Sequence, residues 1–322
     1  MKQRYLIIDN LYTFGMLLVV LGHIGVNDNF GSSYLFKWIY AFHMPLFFWI
    51  SGFLFNGGSC FRKFLSKKAK RLLVPLVVLT SIVYYPKVLL SDFAVRRADG
   101  SFFGFISSFI YPETNPIQLL WFLNVLFGTY VLAWIIDNVI KSKSTGWLLG
   151  GALTLGLYYI LPDVKILGIS KILYHFPFFA IGVLSRKYYE PLLPTLRKYN
   201  TPILVLSFIA LSFIVNFSVC RYFPALIGII FSISIIGYIT IQNIPFFPQL
   251  RPYTFSIYLL QWFPLVAVRI LFYNMLGWNI YLCYVMMFFA GLLIPVMICK
   301  VCLKFIPATG LGKFIRLSVG LS

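Results

Sequence analysis

Asp9, Tyr12 and His23 fall within one apolar run near the start of the chain. Wound as a helix, Tyr12 and His23 differ by about 20° around the axis and lie about 16 Å apart along it. Asp9 sits within about 40° of His23, so Asp9, Tyr12, Met16, Val20 and His23 form one stripe. Polar groups in apolar surroundings are costly and tend to face a cavity or a partner. A neutral imidazole accepts a proton at neutral pH, which makes His23 a candidate general base. The competing reading is a histidine satisfied by a neighbouring carbonyl. A second imidazole, His43, opens the segment Phe42 to Phe53 and is expected at the same depth as His23. Pro45 is expected near the start of its helix, where few backbone bonds are lost, and Ser51-Gly52 permits close helix approach.

The densest cationic segment follows: Arg62, Lys63, Lys67, Lys68, Lys70 and Arg71, ending at Pro75. Cations placed this way grip anionic lipid or hold the phosphates of a soluble cosubstrate. Charge alone leaves both readings open.

The elements that must position these groups are set by composition. The chain has 322 residues, 60% of them hydrophobic and only 11% charged, with a mean hydropathy of +0.88. A soluble fold needs roughly 25% charged residues, so much of this surface belongs in lipid. Ten apolar runs are long enough to read as spans: 8–26, 38–56, 72–90, 117–136, 147–161, 172–185, 202–219, 224–241, 253–273 and 280–299. They are continuously apolar and lack the two-residue alternation of barrel strands. Trp38, Tyr111, Trp147, Tyr253 and Trp278 stand at run ends, as an interfacial aromatic belt requires. The expected fold is all-α, a polytopic bundle of about ten transmembrane helices forming one membrane domain over 1–322.

The net charge of +19, from 27 Lys and Arg against 8 Asp and Glu, raises the question of nucleic acid. With the N-terminus inside, nineteen cations fall in inner segments and six in outer ones. That bias predicts cytoplasmic termini, makes most cations orientation signals, and excludes nucleic acid as a partner. The first run is too long and too polar for a cleavable signal and is followed by no cleavage site. The five cysteines read as small packing residues, Cys299 and Cys302 forming an isolated C-x-x-C, and no metal site is expected. The aromatic stretch Phe102–Tyr111 is expected to lie flat on the interface.

Several blocks carry a resemblance. One is Ile8-Asp9 with Leu17-Leu18-Val19-Val20-Leu21-Gly22-His23. Another is Phe42-His43-Met44-Pro45-Leu46-Phe47-Phe48 with Ser51-Gly52-Phe53. A third is Lys67-Lys68 with Arg71-Leu72 and Pro75, and weaker echoes lie at Trp121-Phe122-Leu123, Phe176–Phe179 with Gly182, and Ser256–Leu259. In this order the chain resembles the acyltransferase 3 family of bacterial integral membrane acyltransferases, which includes sugar O-acetylases. The resemblance implies an inner-membrane enzyme that takes an acyl group, most often acetyl, from cytoplasmic acyl-CoA. The group passes to a hydroxyl of a cell-envelope or exported glycan. It implies that His23 is the essential residue, as general base or transient acyl carrier, with His43, Asp9 and Tyr12 beside it. It implies that the basic inner loop, Lys67, Lys68 and Arg71, holds the nucleotide end of CoA. No resident cofactor is implied, acyl-CoA being a cosubstrate. Implied partners are acyl-CoA, a glycan acceptor and membrane lipid, with a homo-oligomer left open.

Two positions depart from the family pattern. Tyr12 stands where the family carries Arg, ten residues separating it from the first-span His, and Gln261 stands where many members have His. A phenol cannot neutralise a phosphate or carboxylate, so a second cation is expected to compensate, with Lys67 and Arg71 as candidates. The alternative function is a non-catalytic transporter of a glycan or lipid-linked sugar, for which broken helices around a midplane site are the usual sign. A catalytically dead relative acting in assembly would share the same sequence features. Acceptor recognition is expected in the outer loops 27–37, 91–116 and 162–171.

Overall fold

A computed structural model describes residues 5–25, 33–58, 60–89, 99–140, 144–216, 220–241 and 246–321. Lys2, Arg4, Arg96, Arg97, Lys141 and Lys143 from the charge count, and loop residues 27–32 and 91–98, lie outside them. The described chain is helical, with no strand. Its helices are α1 (Leu6–His23), α2 (Tyr34–Phe53), α3 (Phe61–Leu89), α4 (Phe102–Ile110), α5 (Trp121–Val139), α6 (Ser144–Ile160) and α7 (Ile169–Lys198). They continue with α8 (Asn200–Ile214), α9 (Tyr222–Ile241), α10 (Phe246–Leu250), α11 (Thr254–Leu260), α12 (Trp262–Val268), α13 (Ile280–Phe305) and α14 (Gly310–Ser318).

Every expected run is helical over most of its described residues, but the runs are not equivalent. Six helices among the described residues, α1, α3, α5, α7, α9 and α13, are long and apolar enough to cross a membrane. A seventh candidate is the ninth run, which is bent by 62° between Leu260 and Trp262. α6 and α8 have only 17 and 15 residues. α2 has the length, but Lys37, His43 and Pro45 interrupt its aromatic sequence. Together these helices make a multi-pass membrane protein.

The chain divides into two compact units, one of residues 1–54 with 181–298, the other of 55–180 with 299–322. In the first, α1 packs against α2, α9, α10 and α11, and α8 packs on α9. Leu18, Ile39, Phe42, Leu211 and Phe231 form a buried cluster joining α1, α2, α8 and α9. Lipid is as apolar as leucine, so close fit rather than hydrophobicity must hold such helices together. Gly228 supplies it beneath the Phe42 ring, and Gly182 lets the α7 backbone meet the Trp49 carbonyl of α2. Neither leaves room for a Cβ.

The start of α2 differs from the sequence expectation. Ser33 caps it, its hydroxyl accepting from the Phe36 N–H at 3.2 Å, so the helix begins well before His43. Pro45 therefore lies in the helix interior, where it cannot donate to the Ala41 carbonyl.

In the second unit, α3 packs on α5 and α14, and α5 on α6. The cationic segment is the first turns of α3 and not a loop. α4 is a short aromatic helix capped by Ser101, with Phe102 and Phe103 exposed, as a helix lying on an interface would present them. Arg316 of α14 donates to the Ile306 carbonyl at 2.9 Å and so satisfies the open end of α13. Cys283, Cys299 and Cys302 are buried, as packing residues should be, whereas Cys60 is exposed.

Candidate active site

The stripe predicted on α1 is buried at its middle and half-buried at both ends, and its two ends meet different elements. Met16 and Val20 are buried. At the N-terminal end, the Arg251 Nε donates to Asp9 Oδ1 at 2.9 Å. The Arg251 guanidinium carbon lies 4.2 Å from the centre of the Tyr12 ring, and Nη1 reaches Thr254 Oγ1 at 3.3 Å. The side chains of Arg251 and Asp9 are 23% and 15% exposed, so the pair is largely withdrawn from solvent. One guanidinium thus serves a carboxylate, a π-face and a hydroxyl, a combination its planar fork permits and an ammonium does not. A cation that accompanies Tyr12 is Arg251, which the sequence reading had not named. Thr13 and Asn10 tie the same end of α1 to the Phe247 carbonyl and the Thr240 hydroxyl, at 3.1 and 2.9 Å.

At the other end stands His23. Its Nδ1 is hydrogen-bonded to the Val19 carbonyl one turn back, at 2.5 Å. A carbonyl only accepts, so Nδ1 carries the proton and Nε2 holds the lone pair. His43 is arranged the same way, Nδ1 to the Ile39 carbonyl at 2.9 Å. Both rings share Tyr40, whose centre is 6.3 Å from that of His23 and 4.7 Å from that of His43. Tyr40 in turn donates to the Gly22 carbonyl at 3.3 Å. The two sequence readings of His23 are therefore compatible, because the carbonyl satisfies one nitrogen and leaves the lone pair on the other.

The cations of α3 form a separate feature in the second unit. Lys63, Lys67, Lys70 and Arg71 recur at helical spacing along one side and are all exposed. Lys68 is turned away from them, its Nζ 3.4 Å from the centre of the Tyr130 ring and 5.6 Å from that of Phe64. The triplet grouped in the sequence is thus split into two presented cations, Lys67 and Arg71, and one held against aromatics.

Sequence reasoning passed over Arg251 and Tyr40 as site residues. Arg251 had a signal, since it is the one cation between Arg221 and Arg269. Its partners were not readable, because Asp9 lies 242 positions away.

The sequence matches the acyltransferase domain family over residues 5–300, nearly the whole chain and every residue of the α1 stripe. The chain belongs to the acyltransferase 3 family. Nodulation protein NolL of Sinorhizobium fredii (strain NBRC 101917 / NGR234) is 26% identical over 204 residues. That stretch is 58% of this chain and 50% of that protein. Nodulation protein NolL of Mesorhizobium japonicum (strain LMG 29417 / CECT 9101 / MAFF 303099) is 27% identical over 183 residues, 52% of this chain and 44% of that protein. The chain thus spans about half the length of the curated relatives it matches. No solved structure matches it.

Proposed function

We propose that this membrane acyltransferase moves an acetyl group from cytoplasmic acyl-CoA to a hydroxyl of a cell-envelope or exported glycan. The observation that carries this reading is the fixed tautomer of His23 at one end of the partly buried α1 stripe. With Nδ1 engaged, Nε2 is the atom that removes the proton from an acceptor hydroxyl as that oxygen attacks the thioester carbonyl. The same lone pair would serve a covalent route, forming an acyl-imidazole that the hydroxyl then opens. In either route the carbon–sulfur bond breaks and CoA leaves as the thiol, taking the proton. His43 and Tyr40 support the ring from α2, and Asp9, Tyr12 and Arg251 fix the other end of α1. Lys67 and Arg71 hold the phosphates of CoA, for which exposed, closely spaced cations on one helix side are suited. In this reading ten helices span the inner membrane, the termini are cytoplasmic, and no cofactor is resident.

The test is transfer of labelled acetyl from acetyl-CoA to candidate glycans by the purified protein, wild type against His23→Ala. Transfer is expected from the wild type and lost in the variant. Transfer that survives the substitution removes His23 from the chemistry.

One observation keeps the transporter reading in view, the span broken at Gln261, since transporters bind substrates at discontinuous helices. They use such helices in pairs, and among the described residues there is one. Glycan movement across vesicles with no acetyl release from acetyl-CoA would favour that reading.

A further inference from the structure

The bend between α11 and α12 has a local cause. Pro264 has no N–H for the Leu260 carbonyl, and its ring presses against that carbonyl, so the helix opens at Gln261. Backbone bonds resume on both sides, Gln261 N–H to the Ile257 carbonyl at 2.9 Å and Leu265 N–H to the Gln261 carbonyl at 3.2 Å. Pro264 thus offers the Leu260 carbonyl no helical donor.

Gln261 is fully buried at this break. Its Nε2 lies 3.5 Å from the Tyr258 carbonyl, which orients the carboxamide. Oε1 then has no hydrogen-bond partner among the described residues. A bilayer interior supplies no water to repair this, so a buried acceptor left open is costly and calls for a donor from elsewhere. The place is informative. Gly291 of α13 is the small residue on which Val20 and Gln261 converge: a Cβ there would lie 3.0 Å from Val20 Cγ1 and 3.9 Å from Gln261 Cβ. Val20 belongs to the α1 stripe and precedes His23 by three residues, about 4.5 Å along the axis. All of these residues lie in the same compact unit.

We propose that Gln261 Oε1 accepts the hydrogen bond of the amide N–H nearest the sulfur of the acyl donor, making Gln261 a donor-binding residue. The inference rests on the acyl-CoA reading above. In a CoA thioester two methylenes separate the sulfur from that nitrogen. A thioester carbonyl held at His23 therefore places the N–H about one helical turn back along α1, at the level of Val20 and Gln261. The pairing is neutral on both sides, as a site at membrane depth favours, and it discriminates the amide-bearing arm from a plain lipid chain.

The probes are acetyl-CoA and an analogue methylated on that one nitrogen, with affinities measured on the purified full chain. The wild type is expected to bind acetyl-CoA about tenfold more tightly, because methylation leaves the buried oxygen unpaired. Gln261→Leu and Gln261→Met should bind the two probes equally, and Gln261→His, whose ring nitrogen can accept, should keep most of the preference. Equal binding by the wild type overturns the proposal and requires no variant to fold. A tenfold preference that persists in Gln261→Leu also overturns it. Loss confined to binding of a glycan probe overturns it too, by assigning Oε1 to a sugar hydroxyl. Binding of neither CoA probe by the wild type rejects the acyl-CoA reading itself, and this proposal with it.

Discussion

The α1 stripe and the first turns of α3 hold most of the charged and titratable groups singled out in the sequence, yet they treat them in opposite ways. On α1 the polar groups are engaged by other parts of the protein or by the helix itself: Asp9 and Tyr12 by Arg251, His23 by the Val19 carbonyl and Tyr40, Thr13 by the Phe247 carbonyl. On α3 the cations Lys63, Lys67, Lys70 and Arg71 stand exposed. Lys68 beside them is held over the Tyr130 ring. Groups fixed in advance suit chemistry, where reorganisation during the reaction is costly. Groups left presented suit capture of a charged ligand that brings its own counter-charge.

The comparison can be broken at four places. The largest effect is expected from His23→Ala, about a thousandfold loss of acetyl transfer with acetyl-CoA binding retained, read by single-turnover label transfer and by titration. Next is Arg251→Met, which strands Asp9 in a largely buried position. It should cost about 2 kcal/mol in unfolding free energy, and adding Asp9→Asn should recover most of that loss. The paired substitutions Lys67→Gln and Arg71→Gln should raise KM for acetyl-CoA about tenfold at low salt and leave kcat unchanged. That penalty should shrink as salt is added, because exposed charges are screened. The smallest effect belongs to Lys68→Met, about 0.5–1 kcal/mol of stability with no change in KM, since its work is done on Tyr130. A KM effect of Lys68→Met matching that of Lys67→Gln would erase the distinction between held and presented cations.

Much of this organisation was legible in the sequence for a simple reason. Continuous apolar runs have few alternatives to helix in lipid, and each expected run is helical over most of its described residues. The α1 stripe was readable because its members follow one helical period. What failed were features set by tertiary partners or by local breaks. The start of α2 was placed too late because Lys37 and His43 interrupt its apolar character, while the Ser33 cap that sets it is a local hydrogen bond. The ninth run, 253–273, looked uniform in hydropathy, and the bend at Gln261 follows from Pro264, which hydropathy does not register. The basic segment was read as a loop because charge was taken to end the helix, whereas α3 extends into it from Phe61. Arg251 was counted as one more orienting charge, since no spacing rule connects positions 9 and 251.

That last separation bears on how the protein is made. A chain is synthesised from its N-terminus, so α1 enters the bilayer well before Arg251 is made. Its carboxylate then waits through most of translation for the guanidinium that will neutralise it. Until residue 251 emerges, Asp9 must find water, lipid headgroups or an insertion factor to carry its charge. A chain arrested before residue 251 would therefore hold His23 in a helix not yet anchored at its other end.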